Sequence, residues 1–236
     1  MIKLILLLFT AAKFGKILTI VGTMALSIAA YSFVFGWVYS VGFVLLILVH
    51  ELGHYVAARR KGLDVGVPTF IPFVGAWIEL KEKPMSVETE AYVAFAGPLV
   101  GTLGALACYF LSRAYDSQLL LALSYSGFFL NLFNLIPLAP FDGGRITAIL
   151  SPRVWLIGAP MLVSFFLWHP SPLLVVMAVL ALPQVMKALK FDRTAPENAA
   201  YYATSLEMRL IYGTFYLGLA AFLAIMSYDV KAMLPQ

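Results

Sequence analysis

Two of the three histidines lie four residues apart in the run His50-Glu51-Leu52-Gly53-His54, which has the pattern H-E-x-x-H. On an α-helix, residues at this spacing project from one face, about 40° apart around the axis. Both imidazoles could therefore bind one metal ion. In zinc sites with this pattern, the metal activates a water for attack on a carbonyl and the glutamate accepts its proton. We predict that His50 and His54 bind zinc and that Glu51 is the general base.

A catalytic zinc site needs a third protein ligand, and elimination indicates Asp142. Of the twelve acidic residues, only Glu51 and Asp142 lie within or at the end of an apolar segment. The remaining histidine, His169, is predicted on the opposite side of the membrane from His54. Three protein ligands would leave one coordination position open for water or substrate.

The residues around Asp142 also favour a site. Pro137 and Pro140 cannot continue a helix, and Gly143-Gly144 permits backbone turns that other residues resist. Irregular backbone at membrane depth is tolerated only where it is buried in protein or lines a water-filled cavity. The alternative is that Asp142 lies in a turn and caps the next helix.

The composition requires a bilayer around this chain. Of 236 residues, 62% are hydrophobic and only 12% are charged, with a mean hydropathy of +0.91. Soluble domains carry about 25% charged residues, so a soluble core of this size could not bury so much apolar surface. The net charge of +4 comes with no basic stripe interleaved with aromatic residues, so we expect no nucleic-acid partner.

The elements that must position these residues are membrane helices. We predict an all-α polytopic membrane protein with six or seven spans, in a single domain over residues 1–236. Residues 1–16 read as an interfacial helix or tail, with a cleaved signal peptide as the alternative. The seven-span prediction places the spans at residues 17–35, 38–58, 92–112, 118–138, 154–168, 171–187 and 207–227.

The basic residues set the predicted orientation. With a cytosolic N-terminus, fourteen of the sixteen Lys and Arg fall on the cytosolic side, and only Arg113 and Lys231 lie outside. His54 lies close to Arg59, Arg60 and Lys61, so the site should lie toward the cytosol. We expect a multi-pass protein of a bacterial or archaeal plasma membrane.

Residues 62–91 interrupt the apolar helices and are rich in β-branched and aromatic side chains. From Trp77 to Lys81, apolar and charged residues alternate. This pattern predicts a short membrane-associated β-hairpin, and an irregular hydrophobic loop in the interface is the alternative. Residues 189–206 read as a polar cytosolic connector.

Both motifs resemble those of the site-2 protease family, the intramembrane zinc metalloproteases of peptidase family M50. Members carry H-E-x-G-H on one span and N-x-x-P-x-x-P-x-D-G on a later one. The corresponding residues here are His50 to His54, followed by Asn134, Pro137, Pro140, Asp142 and Gly143. The resemblance covers residues 38–150, a predicted catalytic core, and leaves residues 151–236 as C-terminal helices without a motif.

The resemblance implies zinc ligation by His50, His54 and Asp142, with Glu51 as the catalytic base. It also implies that Asn134 holds the substrate backbone or the transition-state oxygen. Asn131, one turn earlier, is expected to donate an interhelical hydrogen bond. Many members have an asparagine where this chain has Gly101, which puts a secondary substrate contact in doubt.

The implied function is hydrolysis of peptide bonds in transmembrane protein substrates within the lipid bilayer. Zn²⁺ is the expected cofactor, and the oligomeric state stays open. Two alternatives remain: a catalytically inactive membrane zinc-binding homologue and a metal transporter. The presence of Glu51 argues against an inactive homologue, because the only role of that residue in the mechanism is proton transfer during catalysis. A metal transporter would have several ionisable residues along its path through the membrane, and this expectation argues against the second alternative.

Overall fold

A computed structural model describes residues 2–73, 75–77, 86–192 and 195–235. Nine α-helices, one 3₁₀ turn and one two-stranded sheet are present within these ranges. The helices are α1 (Ile2–Phe35), α2 (Trp37–Arg60), α3 (Val87–Tyr115), α4 (Gln118–Asn134), α5 (Asp142–Thr147), α6 (Trp155–Trp168), α7 (Pro172–Leu189), α8 (Pro196–Ala199) and α9 (Leu206–Met233). The strands are β1 (Thr69–Ile71) and β2 (Gly75–Trp77), and the 3₁₀ turn is Pro152–Val154.

Five of these helices have the length and apolar composition needed to cross a membrane. The qualifying segments are Ile17–Phe35, Trp37–Arg60, Val87–Tyr115, Pro172–Leu189 and Leu206–Met233. The remaining predicted spans contain α4, which ends at Asn134 instead of residue 138, and α6. The fold is therefore an all-α membrane protein with one small sheet, and the seven-span count stays a prediction.

The N-terminal segment differs from the prediction in one respect. Residues 2–35 form one continuous helix, where an interfacial helix had been expected to end near residue 16. Lysine is a good helix former, and no proline interrupts this stretch. The lysines that indicate the membrane boundary therefore do not break the helix.

The prediction of a β-hairpin within residues 62–91 is confirmed by a short pair of strands. β1 and β2 pair antiparallel, with Phe70 opposite Ala76. The hairpin lies against α1, because the backbone N–H of Phe70 donates to Thr23 Oγ1 (3.2 Å) and that of Phe73 donates to the Tyr31 hydroxyl (3.1 Å). The predicted continuation of the alternation over residues 78–81 lies outside the described residues.

Helices α2, α3 and α4 pack closely because small residues lie where their backbones meet. A Cβ on Gly53 of α2 would overlap the carbonyl of Ala96 in α3. A Cβ on Gly127 of α4 would come within 2.8 Å of the Ala105 side chain in α3. Small residues at interfaces are typical of membrane helices, which associate through close van der Waals packing.

Residues 135–141 form an irregular segment between α4 and α5. Side chains of the C-terminal helices make hydrogen bonds to its backbone. The Tyr216 hydroxyl of α9 donates to the carbonyl of Leu135 (2.5 Å). The backbone N–H of Ala139 donates to the side chain of Gln184 in α7. Just beyond the segment, Trp155 Nε1 of α6 donates to the carbonyl of Gly144 (2.7 Å). Residues 151–236, which carry no motif, thus hold the loop that leads to Asp142.

We predict that Trp155→Phe destabilises the protein by about 1–2 kcal/mol, because the substitution removes the shorter of two side-chain hydrogen bonds to the buried Gly144 carbonyl. Trp168→Phe is the matched control at the other end of α6. The Trp155 side chain is 4% exposed and that of Trp168 is 73% exposed. The measurement is thermal unfolding in detergent. Equal unfolding midpoints for the two variants would show that the bond to Gly144 does not stabilise the loop.

Candidate metal centre

The three predicted ligands converge on one point. His50 Nε2 lies 3.1 Å and His54 Nε2 lies 3.2 Å from Asp142 Oδ2, and the two Nε2 atoms are 3.0 Å apart. Within the described residues, this is the one group of three or more His, Cys, Asp and Glu side chains that could hold a metal ion. All three residues lie in the protein interior, with His50 almost fully buried.

The hydrogen bonds of the two imidazoles show that this donor set suits a cation. His50 Nδ1 donates to Asn131 Oδ1 (2.8 Å), and His54 Nδ1 donates to the carbonyl of Val93 (2.8 Å). A neutral imidazole has one N–H, so these bonds leave both Nε2 atoms as acceptors. Three acceptors therefore face one another across about 3 Å. Repulsion between their lone pairs is relieved when a metal ion lies between them.

Asp142 reaches the histidines because it starts a new helix. It is the first residue of α5, and the N-cap position before it is occupied by Phe141. Its Oδ2 instead faces the two Nε2 atoms of α2. The alternative role as a helix cap is therefore not observed. His169 ends α6 on an exposed surface, beside Phe165 and Trp168, and takes no part in the cluster.

Two glycines of α3 make room for the centre. A Cβ on Gly97 would overlap the imidazole of His54, and a Cβ on Gly101 would overlap the amide of Asn131. These glycines lie four residues apart and so face the same side of the helix. The close approach of α3 lets Val93 and Asn131 reach the histidine rings.

A cavity of about 400 Å³ opens beside the cluster. Apart from the three clustered residues, its polar side chains include Glu51, Asn134 and Arg145, and much of the remaining wall is apolar. Glu51 is nearly buried, with 8% of its surface exposed, and belongs to the same helical turn as His50. Asn134 donates through Nδ2 to the carbonyl of Leu130 (3.1 Å), so its second N–H and its Oδ1 remain available to a ligand.

Arg145 connects the cavity to the predicted polar connector. Its Nε lies 3.9 Å from Glu90, and the Tyr201 hydroxyl donates to the same carboxylate. Burial, together with the neighbouring Glu90 charge, raises the pKa of Tyr201, so the phenol keeps its proton at neutral pH. The residues around 195–205 are therefore packed on α3 and are more than a passive connector.

Sequence reasoning missed several partners of the site. Asn131 was expected to be an interhelical donor, and it is instead the acceptor for His50 while its Nδ2 donates within its own helix to Gly127 (2.7 Å). The supports Gln184 and Tyr216 were not anticipated. Neither residue belongs to a motif. The only sequence signal for them is that each is a polar side chain within an apolar span, where such side chains usually have a partner.

The region around α2 and α3 matches a known family. The model of peptidase family M50 matches residues 38–118, which include His50, Glu51 and His54. Over these residues the chain is similar to peptidase family M50. The matched region ends before Asp142, so the third metal position depends on the geometry described above.

The chain is also similar to curated proteins that are named zinc metalloproteases. It is 35% identical over 124 residues to "Zinc metalloprotease MJ0392" of Methanocaldococcus jannaschii, covering 49% of this chain and 36% of that protein. It is 32% identical over 133 residues to "Putative zinc metalloprotease Rip3" of Mycobacterium tuberculosis, covering 51% and 33%. The alignments therefore span about a third of the length of these two relatives. The donor set and these names support Zn²⁺ as the metal.

We predict that Asp142→Ala lowers the zinc bound by the purified protein from about one equivalent to a small fraction, because two imidazoles alone bind the ion weakly. Asp229→Ala, an exposed carboxylate on α9, is the control and should retain zinc. Zinc is counted by inductively coupled plasma mass spectrometry after dialysis against a weak chelator. Undiminished zinc in Asp142→Ala would remove this residue from the ligand set.

Proposed function

We propose that this protein is an intramembrane zinc metalloprotease that hydrolyses peptide bonds of transmembrane protein substrates. The observation that carries the proposal is the convergence of three acceptor atoms beside Glu51 in a mostly apolar cavity. The match of residues 38–118 to a peptidase family and the names of two relatives support it. His50, His54 and Asp142 would hold the zinc ion.

Glu51, Asn134 and the apolar wall of the cavity have proposed tasks. When bound, zinc supplies Lewis acidity, which polarises a carbonyl and makes water acidic enough to react at neutral pH. Glu51 accepts the proton of the attacking water and transfers it to the departing amine nitrogen. Asn134 donates its unused N–H to the oxygen on which negative charge develops. The apolar wall excludes bulk water, which strengthens these interactions.

We predict that Glu51→Gln lowers cleavage by at least about 100-fold while zinc binding is retained, because the amide keeps the shape and cannot accept the proton. Glu207→Gln, in the exposed first turn of α9, is the control. Purified variants are reconstituted with a panel of single-span membrane proteins, and cuts are mapped by mass spectrometry. Undiminished cleavage by Glu51→Gln would remove this residue as the base.

The same assay separates the protease from the alternative functions. An inactive zinc-binding homologue would hold zinc and cut no member of the panel in the wild-type form. A transporter would move zinc across sealed vesicles, and the wild-type protein should not. The described residues contain a single potential metal cluster. A transport path would instead need several ionisable groups spaced across the membrane.

The outer edge of β2 is the proposed binding place for the substrate backbone. Because the N–H of Phe70 donates to Thr23, the facing pair Phe70–Ala76 is a non-hydrogen-bonded pair of the ladder. The N–H and C=O of Ala76 therefore point away from β1. Gly75 and Ala76 line the cavity that contains the metal cluster.

A substrate helix has its amides hydrogen-bonded and shielded, so it must unwind before hydrolysis. An unwound segment could add to β2 as a third strand, which would replace its lost helical bonds. Such a segment would lie along the wall of the cavity near the metal. The edge of β1 cannot serve this purpose, because Thr23 of α1 already binds its backbone at Phe70, and Tyr31 binds the turn that follows at Phe73.

We predict that Ala76→Pro lowers cleavage of a helical single-span substrate by about tenfold or more, because it removes the outward N–H. The ladder should survive, since that N–H does not bond to β1. Ala76→Val keeps the N–H and is the matched control. Ile78→Pro and Leu80→Pro extend the test to the residues that follow β2. Unchanged cleavage by all three proline variants would rule out strand addition.

The active site is proposed to lie toward the cytosolic face of the membrane. His54 lies between one and two helical turns before Arg59 and Arg60, which end α2. A cluster of basic residues at a helix end is typical of the cytosolic side. Cysteine labelling of positions 60 and 113 in sealed cells would locate the two ends of the bundle.

A further inference from the structure

Asn131 is a buried amide in the middle of an apolar helix. It lies in α4, its residue surface is 1% exposed, and both of its polar atoms are bonded. Nδ2 donates to the carbonyl of Gly127 in the same helix (2.7 Å), and Oδ1 accepts from His50 Nδ1 (2.8 Å). Because a carbonyl can only accept, the Gly127 contact fixes which end of the amide faces the histidine.

The fixed amide determines the state of the His50 ring. An oxygen facing Nδ1 requires that nitrogen to carry the proton, so Nε2 presents its lone pair to the metal position. The bond also holds the ring in the orientation in which Nε2 lies 3.1 Å from Asp142 Oδ2. A metal-binding histidine is commonly oriented in this way through its other nitrogen.

The two histidines differ in the source of their acceptor. His54 is held by the backbone carbonyl of Val93, which no single substitution at residue 93 removes. His50 depends on one side chain from another helix. Gly101 of α3 lies against that side chain, and a Cβ there would overlap its amide. Asn131 and Gly101 therefore form a size-matched pair beside the metal cluster.

We propose that Asn131 is a positioning residue that sets the zinc affinity of the centre through His50, and that Gly101 is required to keep it in place. This inference rests on the metal site of the proposed function. It assigns Asn131 no contact with substrate, which separates it from Asn134. The two asparagines are one helical turn apart, and Asn134 lines the cavity.

The test compares isosteric substitutions by metal binding in detergent. Asn131→Leu keeps the size and removes the acceptor, and its zinc affinity should fall by about 10–100-fold in a chelator competition. Asn131→Asp keeps an acceptor for His50 and should retain most of the affinity. Asn134→Leu is the matched control and should bind zinc as the wild type does. None of these measurements requires a substrate.

The visible absorption spectrum of bound Co²⁺ provides the second readout, because it reports the ligand atoms and their geometry. Asn131→Leu should alter the spectrum, whereas Asn131→Asp and Asn134→Leu should reproduce that of the wild type. A residue that only stabilised the fold would lower the unfolding temperature without changing the spectrum. Wild-type affinity together with a wild-type spectrum in Asn131→Leu would overturn the inference.

Gly101→Ala tests the inference without touching the asparagine. The added methyl should displace the amide and reproduce the weaker zinc binding of Asn131→Leu. Gly218→Ala in α9, where a Cβ meets open space, is its control. Normal zinc binding by Gly101→Ala would contradict the size-matched pair. If the wild-type protein bound neither metal, the proposed function would fail together with the inference.

Discussion

Within a bilayer, every backbone N–H and C=O needs a partner inside the protein, because lipid offers none. Most of this chain meets the requirement by forming helices. Residues 135–141 cannot, since their prolines interrupt the helix and Asp142 must begin a new one. Side chains from α7 and α9 bond to this segment instead. The C-terminal helices therefore make the irregular backbone tolerable, and with it the approach of Asp142 to the histidines.

The close packing of α3 against α2 and α4 brings the hydrogen-bond partners of the two histidine rings into place. An ordinary side chain at residue 97 or 101 would separate α3 from the histidines and from α4. With glycine at both positions, a backbone carbonyl and an amide reach within 2.8 Å of the two rings. The carbonyl of Val93 serves both its own helix and His54, which its two lone pairs permit. Small residues thus act as structural parts of a polar site in an apolar bundle.

The predictable part of the molecule is the part with local signals. The spacing of His50 and His54, the scarcity of buried acids and the apolar runs follow from residue types alone. Asp142 could be found by elimination, because so few carboxylates lie at membrane depth. The partners Asn131, Gln184 and Tyr216 are 45 to 81 residues from the atoms they bond. Nothing local distinguishes them from other polar or aromatic residues in a span. The hairpin could not be separated from an irregular loop, because its stability depends on contacts with α1.

The bonds from Thr23 and Tyr31 join the hairpin to α1, the helix at the edge of the bundle. The backbone edge at Ala76 therefore has a position that α1 fixes, whereas the candidate metal ligands belong to α2 and α5. One wall of the cavity is therefore the hairpin, which is bonded to α1, and the other is formed by α2 and α5. A change in the tilt of α1, such as a thinner or thicker bilayer imposes, would shift that edge relative to His50 and alter the width of the opening between them. Lipid thickness is thus mechanically connected to the space proposed to hold the substrate backbone.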